Sequence, residues 1–341
     1  MTRGAARSPW WETVSSLLGR PAFLAGAMIV AVYVAIGLIA PWFYPKTLTA
    51  IPIDTALLTQ CSAPSGPTLT LFPFSLGTHP FGQTEFMGFG VAQGLVAGSR
   101  WDLFLMGIVA IPSAIIGTVV GLLSASYGGR LDWALMTATD TVLSMPYFLF
   151  VILVVAISLP RTSVENGPYL FIGSMIAVMW APFARVVRGE ARRVSHMGYI
   201  ESAKASGASR ARIVFRHMLP NSSAPALAQM PVTVALTLTF IIASQFVTTA
   251  LITANGASCS TSGITTSTVA PVVPWFNYPE WGGILSAGLA FTGGWLPQPG
   301  HPFGLYWWGV LIPALWIAFF GLAILLISDG LRDWLSPRSR T

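Results

Sequence analysis

Of the 341 residues, 54% are hydrophobic and only 9% are charged, against roughly 25% charged in an ordinary soluble domain, so little of this chain can face water. A mean hydropathy of +0.68 with 12% aromatics excludes a disordered chain, which cannot bury enough apolar surface to offset its entropy, and argues against a soluble enzyme. The net charge of +6 would point to nucleic acid only as a basic patch on a soluble face; here the charges cluster between apolar runs, and no nucleic-acid partner is expected.

Windows of about 20 mainly apolar residues, the length that crosses a hydrocarbon core of ~30 Å, fall near 22–41, 103–124, 134–159, 169–187, 225–252 and 305–327. The expected fold class is an all-α membrane protein with six transmembrane helices in the lipid bilayer. The chain divides in this reading into an N-terminal tail (1–21), a first transmembrane helix (22–41), a long outside loop (42–100), a five-helix core (101–328) and a C-terminal tail (329–341). Within the core lie a basic inside loop, 185–220, and an outside insertion, 253–304. The first span follows Arg3, Arg7 and Arg20 without a small-residue cleavage site, so it reads as a retained helix.

With both termini inside, fifteen Lys and Arg fall on the cytoplasmic side, leaving Lys46, Arg100 and Arg161 outside. That bias sets the expected orientation. Trp10, Trp11, Trp133 and Trp334 fall near the inner boundary, and Trp42, Trp101, Trp295, Trp307 and Trp308 near the outer one, where amphipathic rings settle. Pro112, Pro146, Pro231 and Pro313 lie inside spans, where a helix can kink while neighbours satisfy the freed carbonyls.

The second outside loop opens with a Ser/Thr-rich linker, 253–268, followed by Pro271, Pro274, Trp275, Tyr278, Pro279 and Trp281, which read as a structured cap. Cys61 and Cys259, the two cysteines, fall one in each long outside loop, on the oxidising side of a membrane. A disulfide between them is the expected pairing; two free thiols in separate caps are the alternative.

No phosphate loop, His-Glu-x-x-His run or metal-spaced Cys/His cluster is visible, and His79, His196, His217 and His301 are scattered. No catalytic, cofactor-binding or metal site is expected. Asp140 is the one acid inside an apolar window; its expected role is to pair within a polar cluster, with a direct part in transport as the alternative.

The informative segment is the loop between the fourth and fifth windows. Tyr199–Ser206 carries good helix formers, Gly207 suits the left-handed geometry that ends a helix, and Ser209 can cap a second helix running to Met218, which Pro220 is expected to stop. Two short helices exposing Arg210, Arg212 and Arg216 make a rigid foot suited to docking on another protein.

Glu201, Ser202, Ala203, Gly207, Leu219 and Pro220 stand at the spacing of the Glu-Ala-Ala loop, and in them the chain resembles membrane permeases of ATP-binding cassette importers. The run FRHMLPN, with Arg216, His217 and Asn221, is similar to the dipeptide, oligopeptide and nickel branch, as are His79–Gly82, the stretch Ser126–Pro146 and the ending Asp329–Arg338 of its C-type subunits. Departures fall at Gln83–Gly88, at Ser244–Gly256 and in both enlarged outside loops.

The resemblance implies a type I importer fold, with the first span at its periphery. It implies that Glu201 to Pro220, including Arg210, Arg212, Arg216 and His217, contacts one of two cytosolic ATPase subunits or domains, which carry the ATP and Mg²⁺. The other partners it implies are a homologous second permease and an extracytoplasmic binding protein. The substrate expected is a peptide, with oligosaccharides or nickel complexes as alternatives. A stand-alone carrier would need paired intramembrane charges or a filter, and a membrane enzyme would need a nucleophile, base or metal constellation.

Overall fold

A computed structural model of the chain describes Leu17 and residues 19–43, 91–158, 167–254, 258–260, 263–265, 281–290 and 307–335. Both far tails, most of the two long outside loops and the turn around Arg161 fall outside these residues. So do Cys61, hence its pairing with Cys259, and the His79–Gly82 stretch.

The described chain is helical apart from one small ribbon. In order it forms α1 (Pro21–Phe43), α2 (Val91–Tyr127), α3 (Gly129–Ser144), α4 (Tyr147–Ser158), α5 (Gly167–Ser195), α6 (Gly198–Ala205), α7 (Arg210–Ile213), a π-helical turn (Val214–Met218) and α8 (Leu219–Ala254). Strands β1 (Ser258–Ser260) and β2 (Gly263–Thr265) pair antiparallel, Cys259 opposite Ile264, and α9 (Trp281–Ala290) and α10 (Trp308–Leu335) follow.

Five helical stretches are long and apolar enough to cross a membrane: Pro21–Ile39, Gly94–Tyr127, Tyr169–Ser195, Arg210–Ser244 and Trp308–Trp334. The sixth window, 134–159, is not one helix. It divides into α3 and α4 at Met145–Pro146, each too short to cross by itself. Met145 is extended, with φ −74° and ψ 135°, because the ring of a following proline disfavours the helical region for the residue before it. Pro112, Pro231 and Pro313 remain inside continuous helices.

Helices α2 and α5 form the most extensive helix pair, α8 lies against both, and α10 holds α1 to the bundle. α1 is the least buried span, with 17% of its apolar window covered against 50% for α5. Its peripheral position matches the expectation.

Helix α2 begins at Val91, inside the segment read as outside loop, so it takes in Arg100 and Asp102. Asp102 is wholly buried, and Asp140 is therefore not alone among the acids within the apolar helices. The Asp102 Oδ2 accepts a 2.9 Å bond from the Trp281 backbone N–H and tethers the first turn of α9. The Trp281 indole N–H donates to Leu95 O at 3.0 Å, and its ring meets Tyr33, Trp316 and Phe320. Trp281 thus belongs to the bundle core and not to an outer cap. Tyr33 closes the cluster by donating its hydroxyl to Trp316 O at 2.6 Å. Neither tether was visible beforehand, since each joins residues far apart in sequence.

Candidate functional site

The basic loop folds as two short helices about a glycine turn, as expected, with one difference. Helix α6 ends at Ala205 with Ser206 as its cap, and Gly207 turns the chain with φ 76°, a conformation that L side chains adopt only with strain. Ser209 then caps α7, its hydroxyl oxygen accepting from the Arg212 N–H at 3.4 Å. The expected stop at Pro220 does not occur: α7 runs through the π turn into α8 without a break. A proline inside a helix lacks the N–H for its i−4 bond and crowds that carbonyl. Widening the preceding turn, so that the Leu219 N–H reaches back to Val214 O, is a helix's way of absorbing such a residue.

Ile200, Ile213 and Met218 are buried beneath the foot against Leu122, Phe183, Val187 and Val194. The opposite face is open: Glu201, Ser202, Gly207, Arg210, Arg212, Arg216 and Pro220 are exposed, while Ala203, His217 and Leu219 are half-buried. Glu201, Lys204, Arg212 and Arg216 make no ion pair among the described residues. Their charges are available to an external surface. Arg210 lies 5.5 Å over the Tyr127 ring and so ties the foot to the end of α2.

Two aromatic residues missed in the sequence stand on the same face. Phe215 is 70% exposed and Tyr199 46% exposed, the latter with its ring 6.4 Å from that of His217. Exposed aromatic rings set among charges are typical anchors of a protein interface. A Phe in a stretch otherwise basic was the available signal.

Beside the foot a second cluster fixes the α2–α3 turn, where Gly128 and Gly129 both have positive φ. Asp132, in the first turn of α3, receives Arg188 Nε at 2.6 Å and Nη2 at 2.8 Å, a bidentate pair. Arg192 and the Ser124 hydroxyl complete its shell. The Arg188 bonds hold the carboxyl down at about 2, against 3.8 ordinarily. The carboxylate is thus charged at every physiological pH. Its stabilising contribution is present above the ordinary carboxylate range and is lost as pH falls from about 4 to about 2.

Asp132→Asn should therefore lower thermal stability in detergent at neutral pH by about 1–2 kcal/mol. That is less than the 3–5 kcal/mol of a fully buried pair, because Arg188 and Arg192 keep 26% and 47% of their side-chain surface in solvent. The difference from the unmodified chain should shrink as pH falls through about 2. An unchanged melting temperature at pH 7 would contradict the assignment.

A bundle of apolar helices defines a multi-pass membrane protein, and this one carries a basic, exposed foot on the longest loop read as inside. Residues 117–341 match the family described as binding-protein-dependent transport system inner membrane component, and the chain belongs to it. It is 31% identical to the dipeptide transport system permease protein of Alkalihalophilus pseudofirmus, over 98% of this chain and 92% of that one. It is also 28% identical to the oligopeptide transport system permease protein of Haemophilus influenzae, over 98% and 90%, and 26% identical to that of Bacillus subtilis, over 98% and 91%.

Proposed function

We propose that the chain is the C-type permease subunit of an ATP-driven peptide importer, both termini cytoplasmic, with α3 and α4 together forming a sixth, broken crossing. The observation that carries this is the foot of α6, α7 and the π turn, which presents charges without an ion pair among the described residues, and two aromatic rings, on a buried apolar base. A membrane subunit without a nucleotide site must receive free energy through a contact whose geometry differs between states. The foot is such a contact: Glu201 accepts charge-assisted hydrogen bonds from the ATPase, Arg210, Arg212 and Arg216 meet its acidic groups, and Phe215 fills an apolar pocket.

Closure of two ATPases on ATP and Mg²⁺ moves the foot, and the attached helices open a path, shared with a homologous permease, first outward and then inward. An extracytoplasmic binding protein delivers the substrate. The names of the similar permeases favour a peptide as that substrate, ahead of an oligosaccharide or a nickel complex. The chain itself does not hydrolyse ATP.

The test is co-purification. An ATPase should accompany the tagged chain in mild detergent and be lost from a Glu201→Arg, Phe215→Asp variant that still sediments with membranes. Retention of the ATPase by that variant would remove the foot from the interface. Peptide-stimulated transport reconstituted from this chain and ATPases alone would contradict the heteromeric arrangement.

A further inference from the structure

Most outward faces of the spans carry large apolar side chains, among them Met28 and Leu38 on α1, Ile111 and Ile115 on α2, and Leu315 and Phe319 on α10. That is the chemistry of a surface against lipid. The face of α3 between Trp133 and Met145 is different. It exposes Thr137, Ala138, Asp140, Thr141 and Ser144 and no large apolar residue.

Positions 137, 141 and 144 share a helix side, and Asp140 sits between them, hydrogen-bonded to Arg185 of α5. Both side chains of that pair are more than half exposed, at 58% and 59%. Eight residues beyond Asp132, the pair lies about 12 Å along the helix from the basic end, at a depth where a charge facing lipid is costly and one facing water or a partner subunit is not.

We propose that this small, polar face of α3 is a wall of the water-filled substrate path, and that Asp140 and Arg185 form a gate selective for zwitterions. With the path empty the two charges satisfy each other. With a peptide in it, Asp140 pairs with the amino terminus and Arg185 with the carboxylate, the long arginine side chain swinging away from α3 without either helix moving. The exchange replaces one ion pair with two of the same kind, so a zwitterion passes with little electrostatic penalty. A singly charged solute leaves one of the two groups unpaired, and a neutral one leaves both. The gate rests on the peptide reading above; the wall does not.

The experiment uses the assembled transporter in membranes. Single cysteines at Thr137, Thr141 and Ser144, with Ile115 and Leu315 as lipid-facing controls, are treated with a charged, water-soluble methanethiosulfonate, and labelling is taken above that of the parent with Cys61 and Cys259. Labelling at the three α3 positions and not at the controls is expected. Labelling no higher than the controls, as in a dry helix–helix seam, would overturn the wall.

In parallel, uptake of a free peptide is compared with that of its N-acetylated and C-amidated forms. Asp140→Asn should erase the preference for a free amino terminus and Arg185→Gln that for a free carboxylate, each changing KM by about tenfold with ATPase activity of the complex retained. Unchanged preferences would overturn the gate and leave the wall to the labelling. Absence of peptide uptake by the unmodified complex would overturn the peptide reading, and the gate with it, while labelling still decides the wall.

Discussion

Replacing Gly121 by leucine is expected to reduce folded protein in the membrane by about tenfold or more. Gly117 and Gly121 stand one turn apart on the side of α2 that meets α5. A Cβ at 121 would come 2.7 Å from Ala184 O and 2.9 Å from Arg188 N. These are backbone atoms of a helix, so no rotamer change relieves the collision. The two helices would have to separate, and overpacking of this kind costs typically 1–3 kcal/mol. In a bilayer the loss is harder to recover, because close van der Waals packing between small residues drives helix association where no hydrophobic effect operates between helices. Separation would also pull Arg188 from Asp132. Gly107→Leu is the control, since a Cβ there meets nothing within 4 Å. Detergent-extracted, fluorescently tagged protein run on a sizing column reads the result. A normal monodisperse peak for Gly121→Leu would refute the account.

Gly207→Val is expected to give the opposite pattern: a protein present at near-normal level that no longer transports. Nothing lies within 4 Å of a Cβ at 207, so the penalty comes from the backbone. At φ 76° a β-branched residue is strained by about 1–3 kcal/mol. The chain can relieve that by opening the turn between α6 and α7, which would misplace Glu201 relative to Arg210, Arg212 and Arg216. Uptake should fall about tenfold or more while the complex continues to hydrolyse ATP. Gly207→Asn should retain much of the transport, because asparagine tolerates the left-handed region. Near-normal uptake by a well-expressed Gly207→Val complex would show that the turn does not transmit coupling.

The turn at Gly207 and the Ser209 cap were legible because both are local. A glycine between two short runs of helix formers and a serine before a charged turn each carry their meaning within a few residues. Pro220 was misread for the same reason. A lone proline predicts a stop, and only the register of the preceding turn decides whether a π bulge absorbs it. Gly117 and Gly121 stand at the G-x-x-x-G spacing that marks a close-packing face in an apolar run, a local signal the sequence reading passed over; which helix they meet is not local, since α5 begins some fifty residues later. Asp132 with Arg188 and Arg192, and Asp102 with Trp281, are pairings across long separations that no single sequence displays. Asp102 was also placed outside the second span because it and Arg100 depress the apolar window at its start. Pro112 and Pro146 looked alike in sequence, yet only the latter divides its helix.

Because α7, the π turn and α8 are one uninterrupted rod, the second half of the foot and a membrane-spanning segment share a single axis with no joint between them. The 36 residues of α8 extend about 54 Å at 1.5 Å per residue. A tilt of about 10° imposed at the foot therefore becomes a sweep of about 9 Å at the far tip, if the rod is stiff. Pro225 and Pro231, within the first turns of α8, are where such a lever bends. Their compliance would set how much of any displacement of the foot reaches the far end of the helix.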